Sequence, residues 1–504
     1  MSHRSRLTFT ALTLVAAAAL APQAQAAGFQ LREQSPSALG NAFAGISAGG
    51  SDISSLFFNP AVLTQYEGTT FSFGATYVGI SAKFTDASAS RTPVLQGLGF
   101  FSAPITGANL SPISGASTTS NAAVPAALPE FNIAYSLSKD VKVGLSVNVP
   151  FGLTTEYDAN WIGRYHALKS DLKTIDVAPS IAFRLEDGWT VGVAFVVRKA
   201  DAELSNGVDF GTALALKVGG ALAAAGLSTV SPSPSTLQNS PVATIAMGAP
   251  SAVLGTPGYA TPGAWDGTAG LKGSGWGYGW KAGATYQIPD LRIGLAYHAA
   301  MHMNLKGDAT FVYPTTIPAT DLAALNAAGL KNGGGSADLN LPATASVGID
   351  WQVAPDISVQ SEVARTTWSR FRELRVKFDS GAPDSITDES WQDSTFVSVG
   401  TTWKVGSQWT LRAGLALDKS AVDDAHRTPR IPDNDRQWAS VGASYVLSKK
   451  VTLDVGYTYL RVGDGKVMLS PGTSPYDISA TRGSLNGSIQ AKISLLGASI
   501  RYNF

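Results

Sequence analysis

The chain has 504 residues with 37 basic and 37 acidic side chains, 15% charged residues, 52 glycines and no cysteine. A net charge of zero argues against a nucleic-acid partner, and the missing cysteines exclude a disulfide scaffold and thiol chemistry. Charge is well below the roughly 25% of a soluble domain, and no run of about 18 apolar residues follows Leu20; this excludes a transmembrane helix but suits a membrane β-barrel, whose strands alternate lipid-facing and lumen-facing residues.

His3, Arg4 and Arg6, an apolar run from Leu7 to Leu20 and then Ala24-Gln25-Ala26 follow the order of a secretory signal, so residues 1–26 are expected to be removed. The apolar run is too short, and too closely followed by a cleavage site, for a membrane anchor. Its removal takes Arg4 and Arg6 and leaves 35 basic against 37 acidic residues. Residues 27–68 are Gly-, Ser- and Ala-rich and too irregular to be a strand, and they precede a long series of alternating segments. They read as a plug inside a barrel formed by residues 69–504.

The first alternating segment, Thr69 to Phe84, puts Phe71, Phe73, Ala75 and Tyr77 on one face and Ser72, Gly74 and Thr76 on the other. Six hairpins follow, with turns at Lys139-Asp140, Glu186-Asp187-Gly188, Pro289-Asp290, Ala354-Pro355-Asp356, Gly406-Ser407-Gln408 and Ser448-Lys449-Lys450. The third is the clearest, joining Trp276, Tyr278, Trp280, Ala282, Ala284, Tyr286 and Ile288 to Leu291, Ile293, Leu295, Tyr297, Met301 and Met303. In the fourth, Leu341, Val347, Ile349 and Trp351 form the apolar face. A last strand runs from about Ser488 to Phe504. The expected fold is therefore all-β, a fourteen-stranded antiparallel transmembrane barrel with short turns on the periplasmic side, long connections outside and an N-terminal plug. A soluble sandwich or barrel with one wet face is the competing reading, but it would not put so many Trp, Tyr and Phe outward near strand ends.

Few motifs suggest chemistry. Gly45-Ile46-Ser47-Ala48-Gly49 matches a nucleophile elbow but lacks the strand before it and the helix after it, and a Gly/Ser/Ala-rich plug produces the match by composition. His298 and His302, four apart in a strand, should share the lumen face about 13 Å from each other, too far for one metal ion. No metal, cofactor or enzymatic activity is expected. Leu98, Phe100, Phe101 and Ile105, and the Ala/Leu-rich segment from Phe210 to Gly226, place apolar clusters in the long connections. These either pack the loops together or offer a landing surface for a hydrophobic solute. Pro150, at the end of the alternating run Val141 to Val149 and followed by Phe151-Gly152, should bend its strand away from a neighbour, because proline removes a ladder donor and glycine permits a bulge. Asn59-Pro60-Ala61 is expected to form a turn lodged against the inner wall.

Gly28-Phe29-Gln30-Leu31 and Asn59-Pro60-Ala61 resemble the two ends of the N-terminal hatch in the outer-membrane long-chain fatty-acid transporter family. Gly163 to Leu172, Thr367-Trp368-Ser369-Arg370-Phe371 and Ile431 to Trp438 look like further recurrent segments of that family. The resemblance implies a barrel of a Gram-negative outer membrane that moves long-chain fatty acids or, in relatives, aromatic hydrocarbons inward by diffusion. It makes Gly28, Phe29, Asn59, Pro60 and Ala61 hatch residues and gives the kink at Val149, Pro150, Phe151 and Gly152 a use as a lateral opening into the bilayer. A terminal aromatic, Phe504, is similar to the family's assembly signal. At positions where the fatty-acid transporters place cations this chain has Asn206 and Thr387. Either another cation substitutes, the alignment slips, or the ligand is not an acid. Arg198 and Arg412 fall on the lumen phase and are candidate substitutes, their plainer role being lumen ion pairs; with Phe100 and Phe101 they complete the candidate ligand-binding set. A monomer in contact with outer-membrane lipid is expected. The hatch is much shorter than the plugs of energy-coupled transporters, so no motor partner is expected. A general porin for polar solutes and a surface adhesin or receptor are the alternatives.

Overall fold

A computed structural model describes residues 28–50, 52–91, 111–211, 213, 263, 265–469 and 482–504. The expected signal peptide, Leu98, Phe100, Phe101 and Ile105, and most of 210–226 lie outside the described residues.

The strands form fourteen courses. These are β1 (Thr69–Arg91), β2 (Ala126–Ser136), β3 (Val141–Asn148, resuming as Gly152–Glu156), β4 (Lys169–Arg184), β5 (Trp189–Asp209) and β6 (Asp266–Ile288). Next come β7 (Leu291–His298 and Met301–Val312), β8 (Gly333–Leu341 and Thr344–Ala354), β9 (Ile357–Thr366 and Glu373–Phe378) and β10 (Ser385–Asp388 and Ser394–Val405). The last are β11 (Trp409–Asp418), β12 (Arg436–Val446), β13 (Val451–Val462 and Gly465–Leu469) and β14 (Ser484–Asn503). Each pairs antiparallel with the next, and β14 closes on β1 from Thr70↔Asn503 to Ser90↔Ser484. The rim that carries the tight turns also carries both barrel ends, where Phe504 N donates to Thr69 O at 3.0 Å. The first and last strands thus pair with each other and close the barrel, the condition for crossing a bilayer with strands.

The alternating apolar faces point outward. Phe195, Trp276, Tyr278 and Leu415 expose 52 to 65% of their surface, so they face lipid rather than a core. The inward positions are small or polar, such as Ser72, Asn132, Ser146, Ser398 and Thr458, all buried under the N-terminal segment.

One strand departs from the expected phase. In β7, Lys281 pairs with His298 but Lys306 pairs with Ser274, a register shift of one residue across the break at 299–300. Because the side-chain period is two, that shift exchanges faces. Tyr297 is outward and 41% exposed, whereas Met301 and Met303 are buried. In β8, Leu341 is likewise buried while Val347 is exposed. Consequently His298 and His302 do not share a face, contrary to expectation. His298 Nε2 meets Phe58 O at 2.8 Å inside, and exposed His302 meets Asn340 Oδ1 at 2.8 Å outside.

The lumen holds the N-terminal segment. After Gln34 it folds as one helical turn, Pro36–Leu39, capped by Ser35 Oγ accepting from Ala38 N at 3.1 Å, and three 3-10 turns, Ile46–Ala48, Ile53–Phe57 and Pro60–Gln65. Wall glycines are its seats. A Cβ on Gly283 would overlap Asn59 Oδ1, and one on Gly294 would overlap Ser47 O. The alternation that exposes glycine to the lumen therefore also lets plug backbone lie directly on the wall.

Candidate functional site

Asn59 caps the last 3-10 turn, its Oδ1 accepting from Ala61 N at 2.9 Å. Its Nδ2 donates to Ser47 O (2.6 Å) and reaches Ala284 O and Leu295 O (3.3 and 3.2 Å) on β6 and β7. Pro60 follows in the first position of the turn. Ser47, the centre of the elbow-like motif, is wholly buried, with its N–H and hydroxyl both donating to Glu362 of β9. It anchors the plug and has no nucleophile's surroundings.

At its other end the segment meets the kink. β3 pairs with β2 only as far as Phe131↔Val147, although β2 continues outward to Ala126. Against β4 the register passes from Asn148↔Asp176 to Gly152↔Lys173, so Val149, Pro150 and Phe151 stand opposite two residues. Beyond the bulge, β3 meets the chain before β2, Val124 N donating to Thr154 O at 3.1 Å. Pro150 thus interrupts its strand and does not end it, leaving a gap in the wall between β2 and β3. The plug takes up the backbone groups this interruption frees. Leu31 N donates to Pro150 O (2.8 Å), Gly152 N donates to Phe29 O (3.1 Å), and the Gln34 amide bonds both the N–H and the carbonyl of Val149 (3.0 and 2.7 Å). Buried backbone donors and acceptors would otherwise stand unsatisfied at membrane depth.

Phe29 sits in an aromatic box. Its ring lies 4.8 Å from Trp368, 5.6 Å from Phe371, 5.7 Å from Trp391 and 5.9 Å from Phe151. Gly28 N donates to Asp433 Oδ2 at 2.9 Å, and Asp433 also pairs with Arg436 at 2.6 Å. The segments 367–371 and 431–438 singled out in the sequence therefore converge on the start of the plug.

Above Phe29 lie two adjoining cavities. The inner one has about 690 Å³ of empty space, counting its open mouth, and is walled by apolar side chains including Phe29, Leu153, Leu172, Leu305 and Leu339. The outer one has about 830 Å³ and reaches Asn206, Thr387 and Arg482. Leu204, Leu271, Leu374 and Arg430 border both. At the shared boundary Arg430 donates to Lys169 O (3.1 Å), Ser170 Oγ (3.1 Å) and Asn206 Oδ1 (3.3 Å). Arg482 donates to Thr387 Oγ1 (3.0 Å) and Ser385 Oγ (2.7 Å). Arg430 is buried, and its partners among the described residues are all neutral oxygens. Burial, then the like charge of Arg482, works against its guanidinium, a cost that a bound anion would offset.

The sequence analysis missed both arginines, yet Asn206 and Thr387, the positions where it looked for cations, are the side chains these arginines hold. Arg198 and Arg412 are inward and buried as expected, but neither borders either of these two cavities. Arg198 makes a two-point ion pair with Asp176 (2.5 and 2.7 Å), with its guanidinium 4.7 Å from the centre of the Phe151 ring. Arg412 Nη1 donates to Ser444 Oγ at 2.7 Å. Phe100 and Phe101 lie outside the described residues, so their place relative to the cavities is not described.

Residues 17–504 match the family described as outer membrane protein transport protein (OMPP1/FadL/TodX). The chain is 30% identical to the long-chain fatty acid transport protein of Escherichia coli O6:H1 over the whole of both chains. It is also 30% identical to the 47 kDa outer membrane protein of Pasteurella multocida, over 92% of this chain and 93% of that one. Among solved structures, a Pseudomonas aeruginosa FadL homologue superposes with a TM-score of 0.75 at 22% identity, covering 95% of this chain and all of the other. The Ralstonia pickettii toluene transporter TbuX follows at 0.56 and 20%, with coverage of 90% and 96%. At these identities the two structures carry the fold alone.

Proposed function

From the premise that the chain belongs to the OMPP1/FadL/TodX family of outer membrane transport proteins, and so serves uptake of hydrophobic compounds across a Gram-negative outer membrane, we propose that its substrates are long-chain fatty acids, taken up passively. In this reading residues 1–26 are the signal, 27–68 the hatch and 69–504 the barrel. Apolar loop residues, Phe100 and Phe101 among them, meet the solute first. The carboxylate then docks between Arg430 and Arg482, and the chain lies along the leucine-walled inner cavity against Phe29. Yielding of the hatch, held at Gly28, Phe29, Asn59, Pro60 and Ala61, opens the way to the gap at Val149, Pro150, Phe151 and Gly152. From there an apolar solute enters the bilayer without crossing the aqueous periplasm. The protein works as a monomer.

The observation that carries this reading is the amphiphilic cavity, with buried Arg430 and half-buried Arg482 at one end and apolar walls at the other, ending beside a break in the barrel wall. A porin for polar solutes fits less well, because the plug lies against the lumen wall at several glycine seats. A neutral hydrocarbon ligand is favoured only by the inner chamber, and the arginines oppose it. The test is equilibrium binding of laurate and of dodecanol, equal in length but different in charge, to the purified protein. Laurate should bind at least tenfold more tightly than dodecanol, about 1.4 kcal/mol. Arg430→Gln should remove that preference while dodecanol binding persists. Equal binding of the two by the native protein would point to a neutral hydrocarbon.

A further inference from the structure

Behind the arginine end of the cavity stands a carboxylate that the uptake route leaves without a task. Glu389 lies in the break between the two segments of β10 and is 1% exposed. Its N–H donates to Arg372 O at 2.9 Å, and its Oε2 accepts from Trp391 Nε1 at 2.9 Å. Its other oxygen, Oε1, is buried and accepts no hydrogen bond among the described residues. Arg430 and Arg482 attract charge on Glu389, yet their hydrogen bonds among the described residues go to Lys169 O, Ser170, Asn206, Thr387 and Ser385 and not to its carboxylate. An orphaned buried oxygen near a buried and a half-buried cation, without touching either, is the arrangement of an anion held in reserve.

We propose that Glu389 is an internal counter-anion of Arg430: ionised, it offsets the field of that guanidinium and weakens capture of a ligand carboxylate, whereas protonated it leaves the charge of Arg430 to the ligand. The inference rests on the reading of Arg430 and Arg482 as the head-group end of the site. It makes the preference for acids over neutral amphiphiles dependent on pH.

The other groups that face this cluster fix the direction. Burial pushes the Glu389 carboxyl up to about 8, with the Trp391 hydrogen bond and Arg430 acting the other way and exposed Asp388 adding repulsion. His166 is half-buried, with its Nε2 buried, beside the same two arginines, and desolvation together with their charge pushes its imidazole down to about 3, so it stays neutral. Tyr157 faces Arg430, and burial pushes its phenol up, so it stays protonated. A carboxylic acid in water ionises near pH 4. Burial and the like charge of Arg482 push Arg430 down to about 9, but a delocalised guanidinium keeps its proton in a protein; between about pH 6 and pH 9, then, Glu389 is the member of this cluster whose charge changes, and it becomes an anion as pH rises.

The experiment is laurate and dodecanol binding to the full-length mature protein in lipid nanodiscs at pH 6 and at pH 9. Laurate affinity is expected to fall about tenfold between the two, as a coupling of about 1.4 kcal/mol would give, with dodecanol unchanged. Glu389→Gln should bind laurate at pH 9 as tightly as the native protein does at pH 6, and Glu389→Asp, which keeps the acid, should retain the fall. Circular dichroism of each variant checks that the barrel is folded. A laurate preference that Arg430→Gln abolishes but that is flat with pH overturns this inference alone, as does a fall that survives in Glu389→Gln. Native protein that binds laurate and dodecanol alike at both pH values overturns the head-group reading, and this inference with it.

Discussion

Arg430 and Arg198 are both buried cations on the lumen side, and their partners set them apart. Arg198 meets Asp176 through two hydrogen bonds, while Arg430 meets only neutral oxygens among the described residues. Arg198→Ala would therefore strand a buried carboxylate and should cost the barrel about 3 kcal/mol or more. It should leave the ratio of laurate to dodecanol affinity as it is, read by denaturant unfolding alongside the binding measurement. A changed ratio in a folded Arg198→Ala protein would move the head-group site to the kink. The sequence made Arg198 visible because it falls in a regular strand whose phase can be counted. Arg430 and Arg482 come from connections far along the chain from Asn206 and Thr387, and no local pattern announces that a loop cation will reach into a strand position. Resemblance pointed to two positions that two arginines from elsewhere in the chain contact. What it could not find was the side chains that fill them.

Strands were the most legible elements, since lipid on one side and plug on the other enforce alternation, and all six tight turns lie where the spacing puts them. The phase of a single strand was less so. A one-residue shift at 299–300 turns Met301 and Met303 inward, and an apolar pair reads the same in sequence on either face. The plug is harder still, because its irregular turns are set by the wall it rests on. Asn59 ties it to β6 and β7 by two donated bonds, while its capping bond to Ala61 and a third donated bond to Ser47 O hold the plug's own turns together. Asn59→Ala with Pro60→Ala should weaken that seat by roughly 2 kcal/mol and raise both the frequency of open events in a planar bilayer and sensitivity to a bulky antibiotic. Conductance and permeability equal to the native protein's would take the gating role away from this turn.

At the scale of the whole molecule, the barrel combines a plugged lumen with a broken wall. Hydrogen bonds from Leu31, Gln34 and Gly152 tie the plug to the interruption itself, so a plug that moved would have to break them. The native protein should accordingly show no large steady conductance, whereas a general porin would. The lateral route is tested most directly by replacing Val149-Pro150-Phe151-Gly152 with Val-Thr-Phe-Thr, which offers the missing donor and a regular alternation. Uptake of a labelled long-chain fatty acid is then followed in cells carrying the native or the altered protein, with closed conductance showing that the plug is still seated. The expected result is surface binding as in the native protein with uptake reduced to the background of cells lacking it; uptake at the native rate by the folded, closed variant would contradict passage through the wall.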